Sequence, residues 1–92
     1  MGGVHDGHRA RMKKKLLENG EQSFADHELL EVLLYYAIPR RDTNELAHRL
    51  MEQFGSLQGV LSASPQELAC VQGMGEHAAL LVKLVTMLRR RA

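Results

Sequence analysis

The chain is short of the residues that mark several whole classes of protein. It has a single cysteine, Cys70, so no internal disulfide can form, and that usage fits a reducing cytoplasm. Tryptophan is absent, and two tyrosines and two phenylalanines are the only other aromatics, so the core must be aliphatic. Its most apolar run, Leu29 to Ile38, is too short for a bilayer and contains Glu31. No signal peptide is expected, and the sequence shows no low-complexity stretch and no sustained alternation of the strand type. No Ser/His/Asp arrangement, paired-carboxylate motif or phosphate-loop sequence is present, so nothing looks catalytic. Neither charge sign dominates: the net value of +1 argues weakly against a dedicated nucleic-acid binder.

What the chain does have is helix punctuation. Ser64 and Glu67 form a capping box around Pro65, and Leu68 and Val71 give the helix they start an apolar face. Gly73-Met74-Gly75 then reverses the backbone, because glycine enters positive φ without steric cost. Met74 can point back between the helices while the next helix opens with its amides outward. Ala78, Leu81, Val82, Val85 and Leu88 recur at helical spacing to the end. This is the pattern of a helix-hairpin-helix, whose helix-start amides suit a phosphate. The bland alternative is an ordinary helix corner.

A degenerate copy lies 20 residues earlier, with Leu50–Ser56 over Cys70–Glu76 and Val60-Leu61 over Leu80-Leu81. Phe54 and Gly55 stand where Met74 and Gly75 do, and Gln53 replaces the first glycine. Two stacked hairpins are expected, each covering the other's apolar side.

Upstream, helix one is expected from Asp6 to Asn19, stopping at Gly20 and packing through Met12, Leu16 and Leu17. Asp26 is the expected cap of a buried second helix ended by Pro39. Asp42, with Glu45, starts a third helix that closes at Gly55, and a short one follows from Ser56 to Ser62. The expected fold is all-α: a compact bundle of five to six helices with a tandem helix-hairpin-helix core. Residues 1–42 form a helical pair and 43–92 the hairpin region of one domain. Cys70 is expected to be buried as a small hydrophobe.

Charge is unevenly spread. Arg9, Arg11, Lys13, Lys14 and Lys15 crowd the first helix, and Arg89, Arg90 and Arg91 close the last. Between Leu16 and Pro39 there is no Lys or Arg, only the acids Glu18, Glu21, Asp26, Glu28 and Glu31. A basic face could meet phosphate, and the acidic segment a partner.

Several pieces together resemble the helical N-terminal domain of the bacterial RadC family. They are Gly7-His-Arg-Ala-Arg-Met12, Asp26-His-Glu-Leu-Leu-Glu31, Tyr36-Ala-Ile-Pro-Arg-Arg-Asp-Thr-Asn44, Phe54-Gly-Ser-Leu57 and Ala63-Ser-Pro-Gln-Glu-Leu68 before Gly73-Met-Gly-Glu76. The resemblance implies a DNA repair protein whose C-terminal domain, absent here, is similar to the JAB/MPN metalloproteases. A zinc site would belong to that domain, and no cofactor is expected in this chain.

The candidate DNA-contact residues are the turn and helix start, Gly73, Met74, Gly75, Glu76 and His77. In DNA-binding hairpins a Lys or Arg often follows the second glycine; here Glu76 and His77 stand there, and a carboxylate repels a phosphate. Arg40 and Arg41 precede the third helix, a position suited to an anion, although Asp42 takes the first free amides. Arg11, Lys14 and Lys15 share one helical face along which a phosphate backbone could lie. Solvated surface charge is the alternative for both sets. His5, Asp6 and His8 invite a metal, but no further ligand has a fitting spacing. His27 and His48 are expected on the surface. Sequence-independent DNA binding is the expected function. The alternative is an interaction module, its acidic segment and last helix docking on the C-terminal domain or a second copy.

Overall fold

Helix punctuation decides where each element begins and ends. The computed structural model describes residues 4–92, with the side chains of 4–6 outside that description. It contains six α-helices: α1 (Val4–Asn19), α2 (Asp26–Tyr35), α3 (Thr43–Phe54), α4 (Leu57–Ser62), α5 (Pro65–Ala69) and α6 (Gly75–Arg91). A 3₁₀ turn at Glu21–Ser23 joins α1 to α2, and no strand occurs among the described residues. The expected all-α bundle is what forms. None of its helices is long and apolar enough to cross a membrane.

α1 starts at Val4 where Asp6 was expected, and both ends of α2 also differ from expectation. The cap of α2 is Ala25, not Asp26, because Glu28 reaches back and accepts the Ala25 amide at 2.8 Å. Asp26 then sits inside the first turn, where its charge complements the helix dipole. The same helix ends at Tyr35, before Ile38. Past Tyr35 the amides of Tyr36 and Ala37 tighten into three-residue bonds to Leu33 and Leu34, and Pro39 disfavours a helical Ile38 before it.

The main core is aliphatic and draws on every helix from α2 to α6, with Leu34, Leu50, Val60, Leu68 and Val82 fully buried. Both hairpins therefore share one core with α2. A second, smaller cluster, Phe24, Val32 and Tyr35, takes Met12, Leu16 and Leu29 against it and holds α1. Leu17, expected in that stripe, is 87% exposed. Cationic stems add to the attachment: Lys15 lies 5.2 Å from the Phe24 ring centroid and Lys13 4.9 Å from that of Tyr36. Cys70 is exposed, contrary to expectation, because α5 ends at Ala69 and Leu68 already fills the core-facing position. His48 is exposed as expected, with its ring 4.2 Å from the half-buried ring of His27.

The two hairpins are α3–α4 and α5–α6. In the first, Gly55 at φ 87° closes α3, and α4 begins only at Leu57. Here the chain passes so closely that a Cβ on Gly59 would sit 2.0 Å from the Phe54 carbonyl oxygen. In the second, Gly73 and Gly75 have φ of 98° and 73°, and α6 begins at Gly75 itself. Met74, between them, is buried, as the Gly-hydrophobe-Gly pattern requires.

Candidate nucleic-acid interface

The helix starts fall into two groups. Asp42 accepts the amides of Asn44 and Glu45 at 3.0 and 3.2 Å. Ser56 accepts the Gly59 amide at 3.0 Å, and Ser64 the Glu67 amide at 3.0 Å while Glu67 returns the favour to Ser64. α6, the longest helix, has no such side chain: its cap is Met74. Among the described residues, no acceptor faces the amides of Gly75, Glu76 or His77, and all three residues are exposed. The two hairpin turns are thus chemically unequal. The first is closed by its own serine; the second is open.

Arg40 and Arg41 lie across from that open turn. With Ala37, Ile38 and Pro39 they form one wall of a cleft of about 450 Å³ whose other wall is Gly73, Met74 and Gly75. Two anion-binding elements proposed separately from sequence therefore border the same opening. Among the described residues, no carboxylate is paired with either guanidinium. A smaller hollow beside it takes in Arg41, Asp42, Glu45, Arg49 and Gln72. The stripe Arg11, Lys14 and Lys15 is exposed on α1 but lines neither opening.

The loop carrying Arg40 and Arg41 is held from beneath by residues that charge counting misassigned. Arg9, one of the basic row, is only 8% exposed. Its guanidinium donates to the carbonyls of Arg41 at 2.8 Å and Tyr35 at 3.4 Å and packs over the Tyr35 ring. Glu31, grouped with the acidic segment, is fully buried. Its carboxylate accepts hydrogen bonds from Tyr35 at 2.6 Å, Asn44 at 2.9 Å and His8 at 3.0 Å, while Thr43 donates to its backbone carbonyl. Burial alone would raise the Glu31 pKa, but these hydrogen bonds and the His8 charge outweigh it and hold the carboxyl below its ordinary value. Burial and the same carboxylate push the Tyr35 phenol well above its ordinary range. With Glu31 interior and Glu28 bonded at a helix start, the exposed acids of the segment are Glu18, Glu21 and Asp26.

Arg49 is a residue that the sequence reading missed. It donates to the Gln72 carbonyl at 2.7 Å and to Glu45 at 2.9 Å, tying α3 to the approach to Gly73. The signal was available in the Glu45–Arg49 spacing on one helical face. Of the metal candidates, His8 is engaged with Glu31, and the side chains of His5 and Asp6 lie outside the described residues. Among the described residues, no three His, Cys, Asp or Glu side chains cluster as metal ligands.

The fragments that carried the family resemblance thus converge on this architecture: His8 and Arg9, Glu31, Thr43 and Asn44 make the support, and Gly73–Glu76 the turn. The family model for the UPF0758 N-terminal region matches residues 7–80. The chain belongs to the UPF0758 family. This is the N-terminal region of the RadC family, as the resemblance implied. A UPF0758 protein of Fusobacterium nucleatum is 41% identical over 81 residues, which are 88% of this chain and 35% of that protein. One from Rhodobacter capsulatus is 39% identical over 80 residues, 87% of this chain and 37% of that protein. The chain therefore spans little more than a third of the length of these relatives. No solved structure matches it.

Proposed function

We propose that this domain binds the phosphate backbone of DNA, without sequence preference and without chemistry or a cofactor of its own. The observation that carries the reading is that Arg40 and Arg41 border the same cleft as the uncapped start of α6. Main-chain amides and guanidinium groups are complementary to a phosphodiester, and neither reads bases. In longer family members the domain would bring its companion domain to DNA, the repair role that the resemblance implies. Glu76 at the helix start and the low net charge both point to weak binding.

The test is titration of labelled duplex, single-stranded and branched DNA at two salt concentrations. Contact with about two or three phosphates gives a slope of roughly −2 to −3 in log affinity against log salt. Arg40→Glu with Arg41→Glu abolishes binding without unfolding the domain. Absence of binding at low salt, or a variant that binds like the parent, would end this reading.

The interaction-module alternative draws its support from a different surface, the outer side of α6, whose apolar residues have no cover in the domain.

A further inference from the structure

α6 carries two apolar faces. Ala78, Ala79 and Val82 point into the core, whereas Leu80, Leu84 and Leu88 form an i, i+4 ridge on the outer side, with Met87 beside it. Leu80 is 56% and Leu88 64% exposed, so the ridge is uncovered rather than merely peripheral. A helix with this distribution is built to lie between two layers, and the domain supplies one.

We infer that the second layer is another copy of this chain, with the two α6 helices antiparallel about a two-fold axis at Leu84. The ridge is self-complementary in that register. Leu84 meets Leu84, Leu80 meets Leu88, and His77 of one copy lies against Arg91 of the other. Charge agrees with shape: Glu76 stands at one end of the helix and Arg89, Arg90 and Arg91 at the other, so antiparallel pairing brings Arg91 within reach of Glu76. The helix dipoles also oppose, the positive end of one beside the negative end of the other. A shallow crossing of about 20° keeps both stripes in contact along their length. α6 is about 25 Å long, which places the interface at the lower end of specific interfaces, about 1,200 Å². The expected dissociation constant is accordingly on the order of 10 µM.

Analytical ultracentrifugation of the 92-residue chain, with exposed Cys70 replaced by Ser, tests this across a range from about tenfold below to about tenfold above that value. The expected result is a mass that doubles with concentration. Leu84→Arg holds the chain at single mass with unchanged helicity, and Leu84→Cys forms a disulfide between copies under mild oxidation. Glu76→Arg weakens pairing about threefold, and adding Arg91→Glu restores it. A single-chain mass at every concentration, or a dimer indifferent to Leu84→Arg, overturns the proposal. These readouts involve no nucleic acid, so their outcome is independent of the cleft reading.

Discussion

The buried guanidinium of Arg9 donates to the main-chain carbonyl of Arg41 at 2.8 Å, so α1 holds up one wall of the cleft from 32 residues upstream. A charge that would be read as surface is a post. Arg9→Ala leaves the Arg41 carbonyl without its donor and removes the stack on Tyr35. The expected cost is about 2–3 kcal/mol in chemical denaturation, with DNA affinity falling through displacement of Arg40 and Arg41. Arg9→Lys, which keeps the charge but not the fork, recovers little of either. Full stability in Arg9→Ala would remove the post from this account.

Glu31 contributes to the acid limb of stability. Its folded pKa lies below the ordinary 4.5, so between those two values the unfolded chain binds more protons than the folded one. Stability is then fully present above about pH 4.5 and is lost as pH falls through the folded value. Glu31→Gln places an amide donor among three groups that donate to the carboxylate, which costs about 1–3 kcal/mol at neutral pH. It also flattens the acid limb. Melting curves from pH 7 down to about pH 3 check both, and an unchanged pH profile contradicts the assignment.

Gly59 has a different role from the glycines of the turns. It is needed for space, since an added Cβ meets the Phe54 carbonyl oxygen at 2.0 Å and backbone cannot yield as a flexible side chain does. Gly59→Ala is a favourable change by helix propensity alone, by about 1 kcal/mol. The steric term wins here, and the variant is expected to lose about 2–4 kcal/mol by chemical denaturation. A stabilised Gly59→Ala would mean the α3–α4 hairpin is looser than described.

The parts of the fold written in local chemistry were legible from sequence. The starts at Asp42, Ser56 and Ser64, and the reversal at Gly73-Met74-Gly75, depend on residues within a few positions of each other. The failures share one cause. Arg9, Glu31 and Cys70 were assigned by residue type and neighbours in sequence, but their exposure is decided by packing and by partners up to 32 residues away, or by where a five-residue helix happens to stop. The chemical difference between the two hairpin turns has a smaller cause. Ser56 accepts the Gly59 amide at the start of α4, whereas Met74 offers no acceptor at the start of α6. What was not legible at all was the meeting of Arg40 and Arg41 with the second turn, which are more than 30 residues apart and joined only by packing.

Glu76 is the residue through which the cleft reading is most sharply tested. It is exposed, lies in the first turn of α6 and helps that helix through its dipole, but it opposes any anion approaching the same amides. Glu76→Lys should therefore act in opposite directions on two observables. Thermal stability falls slightly, by about 0.3–1 kcal/mol, because a favourable helix-start charge is replaced by an unfavourable one. DNA affinity rises at low salt, and the log-salt slope steepens by about 0.9 as one more phosphate is neutralised. If affinity is unchanged while stability falls, phosphate does not reach the α6 start, and the cleft between Arg40 and Gly75 loses its proposed ligand.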